Sequence, residues 1–326
     1  MRRREVIVGL VTTALPAGLP VLAKQPARIA VLGSGSKDAQ LSLGQMTWLR
    51  RGLRAAGLIE GQDFTFEERW AAGDYNQFPT LAAELIEMQP AAIVVSTIAA
   101  AEAARDASKT TPIVMTGLND PIGAGLATSL ARPGGNITGM ATMNEEVIVK
   151  LLGLIPSVLP HTKRITAMVN PINPSNPIIV ASLKKEASRL GFVVETVDVA
   201  RPAALDQAFE QLRRKRPDLL IVVPDNALYG LSESIMSRSL TERLPTMATA
   251  QHMSHAGAII TYGYDRWEAI ERTGFYLKKI LDGARAADLP IEQPTRFHLV
   301  VNLKTAGLLD IEIPAAVLAQ ADEVIE

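Results

Sequence analysis

From Arg28 onward the chain repeats one unit: a short apolar run, a small polar turn, then an amphipathic stretch that stops at glycine or proline. "RIAVLG" leads into "LGQMTWLRRGLRAAG", where Leu49, Leu53 and Ala56 fall at helical spacing before Gly57. "DFTFEERW", "AIVVS" and "PIVMTG" read as further strands, with "FPTLAAELIEMQP" and "AAAEAARDAS" as the helices between them. Strands that alternate with helices imply crossover connections, hence a parallel sheet covered on both faces. Past about residue 143 the unit restarts, through "RITAMVN", "FVVETVDV", "DLLIVVP" and "PTMATA". A chain of 326 residues is long enough for two such halves, each with its own core.

The tail adds a constraint. After "GAIITYGY", Asp265 and Glu268 are spaced like a helix N-cap and its N3 partner, and "RFHLVVNL" alternates as one more strand. A lone helix and strand after two complete halves must join an existing sheet, so the chain is expected to cross back between lobes and leave several connections as a hinge. The boundaries predicted are 27–142 with 264–298 for one lobe, and 143–263 with 299–326 for the other.

Residues 1–23 read as a leader: a basic start "MRRRE", the apolar run "VIVGLVTTALPAGLPVLA", and a small-residue cut site near Ala23. Arg3-Arg4 also suits the twin-arginine route. A periplasmic location is the expectation.

Polar residues collect where the strands end, in "GSGS" (33–36), "ST" (96–97), "ND" (119–120), "NPINPSN" (170–176), "DN" (225–226) and "YGYD" (262–265). In doubly wound sheets the carboxyl ends of the strands form the ligand crevice. Ser34, Ser96, Thr97, Asn119, Asp120, Asn173, Asp225, Asn226 and Tyr262 are therefore the candidate ligand contacts. Several have a second reading. Ser96-Thr97 also suit a helix cap, Asp120 before Pro121 suits an N-cap, and Asn173 sits in a proline-broken loop where asparagine makes turns. Asp225, directly after "LLIVVP", is placed to pair with a ligand ammonium group.

Signatures of catalysis are weak. "GSGSKD" has Asp38 where a dinucleotide turn needs its third glycine, and the sequence has neither a P-loop nor a G-x-S-x-G elbow. His252 and His255 lack the third ligand of a zinc site, and the chain has no cysteine. No enzyme activity, metal or cofactor is expected. A formal net charge of −1 offers no footprint for nucleic acid. The glycine-rich run "GLNDPIGAGLATSLARPGGNITGM" (117–140) reads as a cleft wall, its glycines permitting close approach and left-handed turns.

"RWAAGDYNQFPTLAAELI", "NDPIGAGLATSLARPGGNITG", "TYGYD", "LPIEQPTRFHLVVNLKTA" and "ADEVIE" together resemble the ABC-transporter substrate-binding proteins related to tryptophan- and tyrosine-uptake binding proteins. The resemblance spans residues 28–326. It implies a type I periplasmic binding fold, two Rossmann-like lobes closing on a small polar solute, an amino acid or other carboxylate. It also implies a permease and an ATPase as partners, the chain itself being a monomer. The same fold also serves as a sensing module that feeds a signalling receptor. The segment "MATAQHMSHAGA" is smaller and less aromatic than its counterpart in many relatives, which argues against an aromatic side-chain pocket.

Overall fold

The computed structural model describes residues 25–326, so the expected leader and its cut site lie outside the described residues. The chain runs β1 (Ala27–Gly33), α1 (Gln40–Ala55), β2 (Phe64–Trp70), α2 (Phe78–Glu87), β3 (Ala92–Val95), α3 (Ile98–Ala107), β4 (Ile113–Asn119) and β5 (Ile137–Thr142). It continues through α4 (Asn144–Val158), β6 (Arg164–Val169), α5 (Asn176–Arg189), β7 (Val193–Asp198), α6 (Leu205–Lys215), β8 (Leu219–Val222), α7 (Asn226–Tyr229) and α8 (Ser232–Thr241). The last stretch is β9 (Thr246–Ala248), α9 (His252–Ala256), β10 (Ile260–Tyr264), α10 (Arg266–Leu281), β11 (Phe297–Asn302), α11 (Leu303–Leu308), α12 (Ala315–Leu318) and β12 (Glu323–Ile325).

Two sheets result. One has five strands in the order β2-β1-β3-β4-β5, all parallel, and the other has seven in the order β12-β11-β10-β9-β8-β6-β7. In the larger sheet only β11 runs antiparallel to its neighbour β10. The strand period of two sends alternate side chains to opposite faces. Ala30 and Leu32 pack with α2 and α3, while Ile29 and Val31 pack with α1 and α10. The larger sheet is covered likewise, by α4, α5, α11 and α12 on one face and by α6, α8 and α9 on the other.

The chain passes between the two layered units three times: after β5, after β10 and before β11. α10 belongs with the five-stranded sheet although the strands on either side of it belong to the other. The sequence boundary at residue 298 falls inside β11, yet β11 lies wholly in the seven-stranded sheet, because its ladder to β10 begins at the pair Tyr264–Phe297. Alternation alone does not mark which sheet a strand joins.

The seating of α10 depends on two glycines. A Cβ on Gly52 of α1 would stand 2.0 Å from the Glu271 carbonyl oxygen, and one on Gly274 would stand 2.2 Å from the Gly52 carbonyl carbon. The helices cross backbone to backbone there. Gly52→Ala is expected to lower stability by about 1–3 kcal/mol, because neither backbone can yield. A urea titration checks this; an unchanged midpoint would mean that the helices do not meet so closely.

Candidate functional site

The carboxyl ends of the strands from both sheets face each other, and three chambers lie between them. The first, about 520 Å³ with the space open to solvent included, is lined by Ser96, Gly117, Tyr229, His252, Tyr264, Arg266 and Trp267, among others. The second, about 580 Å³, has Ser34, Ser36, Ser42, Gln45, Asn226 and Arg266 in its wall. The third, about 420 Å³, holds Ser96, Thr97, Asn119, Asn173, Asp225 and Asn226.

Seven of the nine residues picked from sequence therefore gather in these chambers, and two do not. Thr97 has a double role: its Oγ1 accepts from Ala100 N–H at 3.1 Å as the cap of α3, and it lines the third chamber. Asn119 is fixed at the first crossing, its Nδ2 donating to Glu145 at 2.8 Å and its Oδ1 accepting from Asn144 N–H at 3.0 Å. Asp120 lines none of the three chambers and instead accepts from Gly123 N–H at 2.8 Å, which closes a turn. The run after Pro121 is a series of turns, not the short helix its Asp-Pro start suggests, because Gly125 takes φ +65°. Tyr262 also lies elsewhere. It stacks on Phe297 at 6.0 Å, and its hydroxyl accepts from Lys150 Nζ at 3.3 Å. The tyrosine that reaches the first and third chambers is Tyr264, the last residue of β10 and so nearer the carboxyl end of the sheet.

Asp225 does not stand free. Its Oδ1 accepts from Leu228 N–H at 2.9 Å, capping α7. Its Oδ2 accepts from Tyr75 Oη at 3.1 Å, Asn170 Nδ2 at 3.2 Å and Asn173 Nδ2 at 2.8 Å. Tyr75 comes from the unit of the five-stranded sheet and the two asparagines from the other, so this carboxylate ties the two together. Burial raises its pKa and outweighs the four hydrogen bonds, which favour the anion. Burial and the nearby carboxylate also push the Tyr75 hydroxyl well above its ordinary range. A second tie runs from Asn226 Nδ2 to the Ser96 carbonyl at 2.7 Å.

The glycine-rich run supplies a wall through its first residues. Gly117 lines the first and third chambers at φ +130°, and a Cβ there would stand 3.0 Å from the Tyr264 hydroxyl. Only glycine meets both demands without strain.

Arg266 is the residue that sequence reading missed. It is the first residue of α10, where the helix dipole disfavours a cation, and its neighbour Asp265 spends its carboxylate on Trp267 and Glu268 N–H. That misplaced charge is the signal that was available. Arg266 lines both the first and the second chamber, and its Nη1 is sealed from solvent with no hydrogen-bond partner. Its guanidinium lies 4.9 Å from the Trp267 ring centre. Burial lowers its pKa from the ordinary arginine value. Trp267 is held in turn by Trp48, stacked at 6.4 Å.

The first chamber is aromatic, which corrects the expectation drawn from "MATAQHMSHAGA". Its rings come from Tyr229, Tyr264 and Trp267 on other elements, and that segment contributes His252. Tyr229 shares a hydrogen bond with Thr249 Oγ1 at 2.8 Å and meets His252 edge-on at 5.4 Å. Burial, then the Arg266 charge, depress the His252 pKa to about 4. The imidazole is thus neutral at pH 7. Since the unfolded chain titrates near 6.5, the folded state binds fewer protons between these values, and stability falls as pH is lowered from about 6.5 through about 4. The loss is expected to reach about 2–3 kcal/mol for this group alone. His252→Gln should flatten that part of the stability–pH curve; an unaltered slope would mean that the ring is not buried.

Among the described residues there is no cluster of three or more His, Asp or Glu suited to a metal ion, and no helix long and apolar enough to cross a membrane.

A fold of two α/β layers, three crossings and a polar–aromatic cavity between strand ends defines a solute-binding protein of the type I periplasmic class. The comparisons agree. The ABC transporter substrate binding protein family matches residues 29–325, and the chain belongs to it. It is 27% identical over 263 residues to a tyrosine-binding protein of Clostridioides difficile, covering 80% of this chain and 75% of that one. Among solved structures it is similar to an ABC domain from Streptococcus pneumoniae in complex with L-Trp, at 26% identity and a TM-score of 0.84, covering 92% of this chain and 100% of that one. A conserved domain protein from Vibrio cholerae is similar at 27% identity and a TM-score of 0.85, with the same coverage.

Proposed function

We propose that this protein is the periplasmic solute receptor of an ABC importer, and that it closes on a small aromatic solute bearing a carboxylate. The observation that carries the reading is Arg266: a guanidinium with one sealed, unpartnered nitrogen, set beside the rings of Trp267 and Tyr229. A buried charge without a partner is costly, and a carboxylate docked on it would relieve that cost through strong charge-assisted hydrogen bonds. The names of the relatives point the same way, one being a tyrosine-binding protein and another holding L-Trp.

Closing requires differential affinity. Shifting an open:closed ratio from 99:1 to 1:99 takes about 5.5 kcal/mol. Charge-assisted hydrogen bonds to Arg266, at about 1.5–3 kcal/mol each, and burial of an aromatic ring are the gross sources. The ties Tyr75–Asp225 and Asn226–Ser96 add to the closed form whenever the two units meet. The closed receptor, acting as a monomer, then hands the solute to the permease, whose ATPase drives release.

The test is a thermal-shift screen of the purified protein, unfolded and refolded to strip any bound solute. The panel comprises aromatic and aliphatic carboxylates, amino acids, sugars and nucleosides. At 100 times its dissociation constant a ligand stabilises by about 2.7 kcal/mol, a shift of several degrees. Shifts confined to aromatic carboxylates are expected. Shifts confined to sugars or nucleosides would overturn the reading.

A further inference from the structure

We propose that the solute is an aromatic acid without a free ammonium group, an aryl or arylalkanoic carboxylate and not an α-amino acid. The inference rests on the reading above that Arg266 receives a carboxylate, and it sharpens the class of molecule that carries it.

The first and second chambers meet at Arg266 and Asn226, and among their described lining residues there is no aspartate or glutamate. Two residues that line these chambers, Arg266 and Gln45, each carry a buried donor with no partner, Nη1 and Nε2 respectively. They call for acceptors on the solute. His252 adds no second positive charge, being neutral above its depressed pKa of about 4.

The acid in the neighbouring chamber is already engaged. Asp225 accepts from Leu228 N–H through Oδ1 and from Tyr75 Oη, Asn170 Nδ2 and Asn173 Nδ2 through Oδ2. It is only 3% exposed, so an ammonium group reaching it would have to part these donors and strain the cap of α7 or the tie between the two units. Glu145 is likewise taken up by Asn119 and lies outside all three chamber linings. Placed on the ring faces instead, an ammonium would share Trp267 with the Arg266 guanidinium, a like charge already 4.9 Å from that ring's centre. A zwitterion therefore finds a cation for its negative end and no carboxylate in these two chambers for its positive end. A monoanion matches the single uncompensated cation.

Calorimetry on two matched pairs tests this: L-tyrosine against 3-(4-hydroxyphenyl)propanoate, and L-tryptophan against indole-3-propanoate. In each pair the acid lacking the amino group is expected to bind at least about tenfold more tightly. Arg266→Gln is expected to abolish the acid's binding while the thermal midpoint of the unliganded variant shows that it is folded. Should the amino acid of either pair bind as tightly as its deaminated partner, this inference fails and the carboxylate reading stands. Binding of tyramine or tryptamine, with neither acid binding, would overturn both.

Discussion

Replacing Arg266 by glutamine is expected to weaken solute binding and strengthen the empty protein at once. Removing one member of a buried, hydrogen-bonded charge pair costs about 2–5 kcal/mol of binding, from about thirtyfold to several thousandfold in affinity. In the unliganded protein the same change removes a buried cation that forms no ion pair among the described residues, and a neutral side chain there relieves about 1 kcal/mol. The two signs separate this role from a structural one. A residue that merely supports α10 would lose stability and affinity together. Titration calorimetry and a denaturant midpoint on the same preparation read both quantities; a fall in both would remove Arg266 from the site.

The second large effect belongs to Asp225, and it is expected in stability first. Asp225→Ala deletes the cap of α7 and leaves the Tyr75 hydroxyl and the amides of Asn170 and Asn173 without their acceptor in a buried setting. Orphaned buried donors cost about 1–3 kcal/mol each, so a total loss of about 3–5 kcal/mol follows once part of the network relaxes. Asp225→Asn keeps the shape and one acceptor oxygen and should cost less. It also carries a pH signature. With the folded pKa of Asp225 raised by burial, the folded state binds more protons than the unfolded above the ordinary carboxylate range. This group's contribution to stability therefore falls as pH rises from about 3.9 to its raised pKa, and Asp225→Asn removes that slope. Denaturant midpoints of the two variants across pH check the argument. An Asp225→Ala variant as stable as the parent would mean that the carboxylate is not the shared acceptor.

How far the residues announced this arrangement depends on what each property obeys. The alternation of strand and helix and the polar strand ends follow local rules. Ser34, Ser96, Thr97, Asn119, Asn173, Asp225 and Asn226 reach the chambers because the carboxyl end of a parallel strand faces the cleft wherever that strand sits. Tyr262 and Tyr264 share the parity of one strand, yet only the latter borders the cleft, and depth along a strand is fixed by a ladder to Phe297 that lies over thirty residues away in sequence. The hydrogen bonds of Asp225 are illegible in the sequence for a related reason. Its partner Tyr75 is 150 positions distant, and no spacing rule links them. Arg266 offered a local sign, a cation at the start of a helix, but its lack of a partner is visible only once everything around it is placed.

The most direct test is a crystal structure of the protein with the tightest-binding carboxylate from the thermal screen. The aromatic ring is expected between Tyr229 and Trp267, with the carboxylate oxygens within about 3 Å of the Arg266 guanidinium. A bound solute that leaves Arg266 unpaired and engages Asp225 instead would contradict that placement.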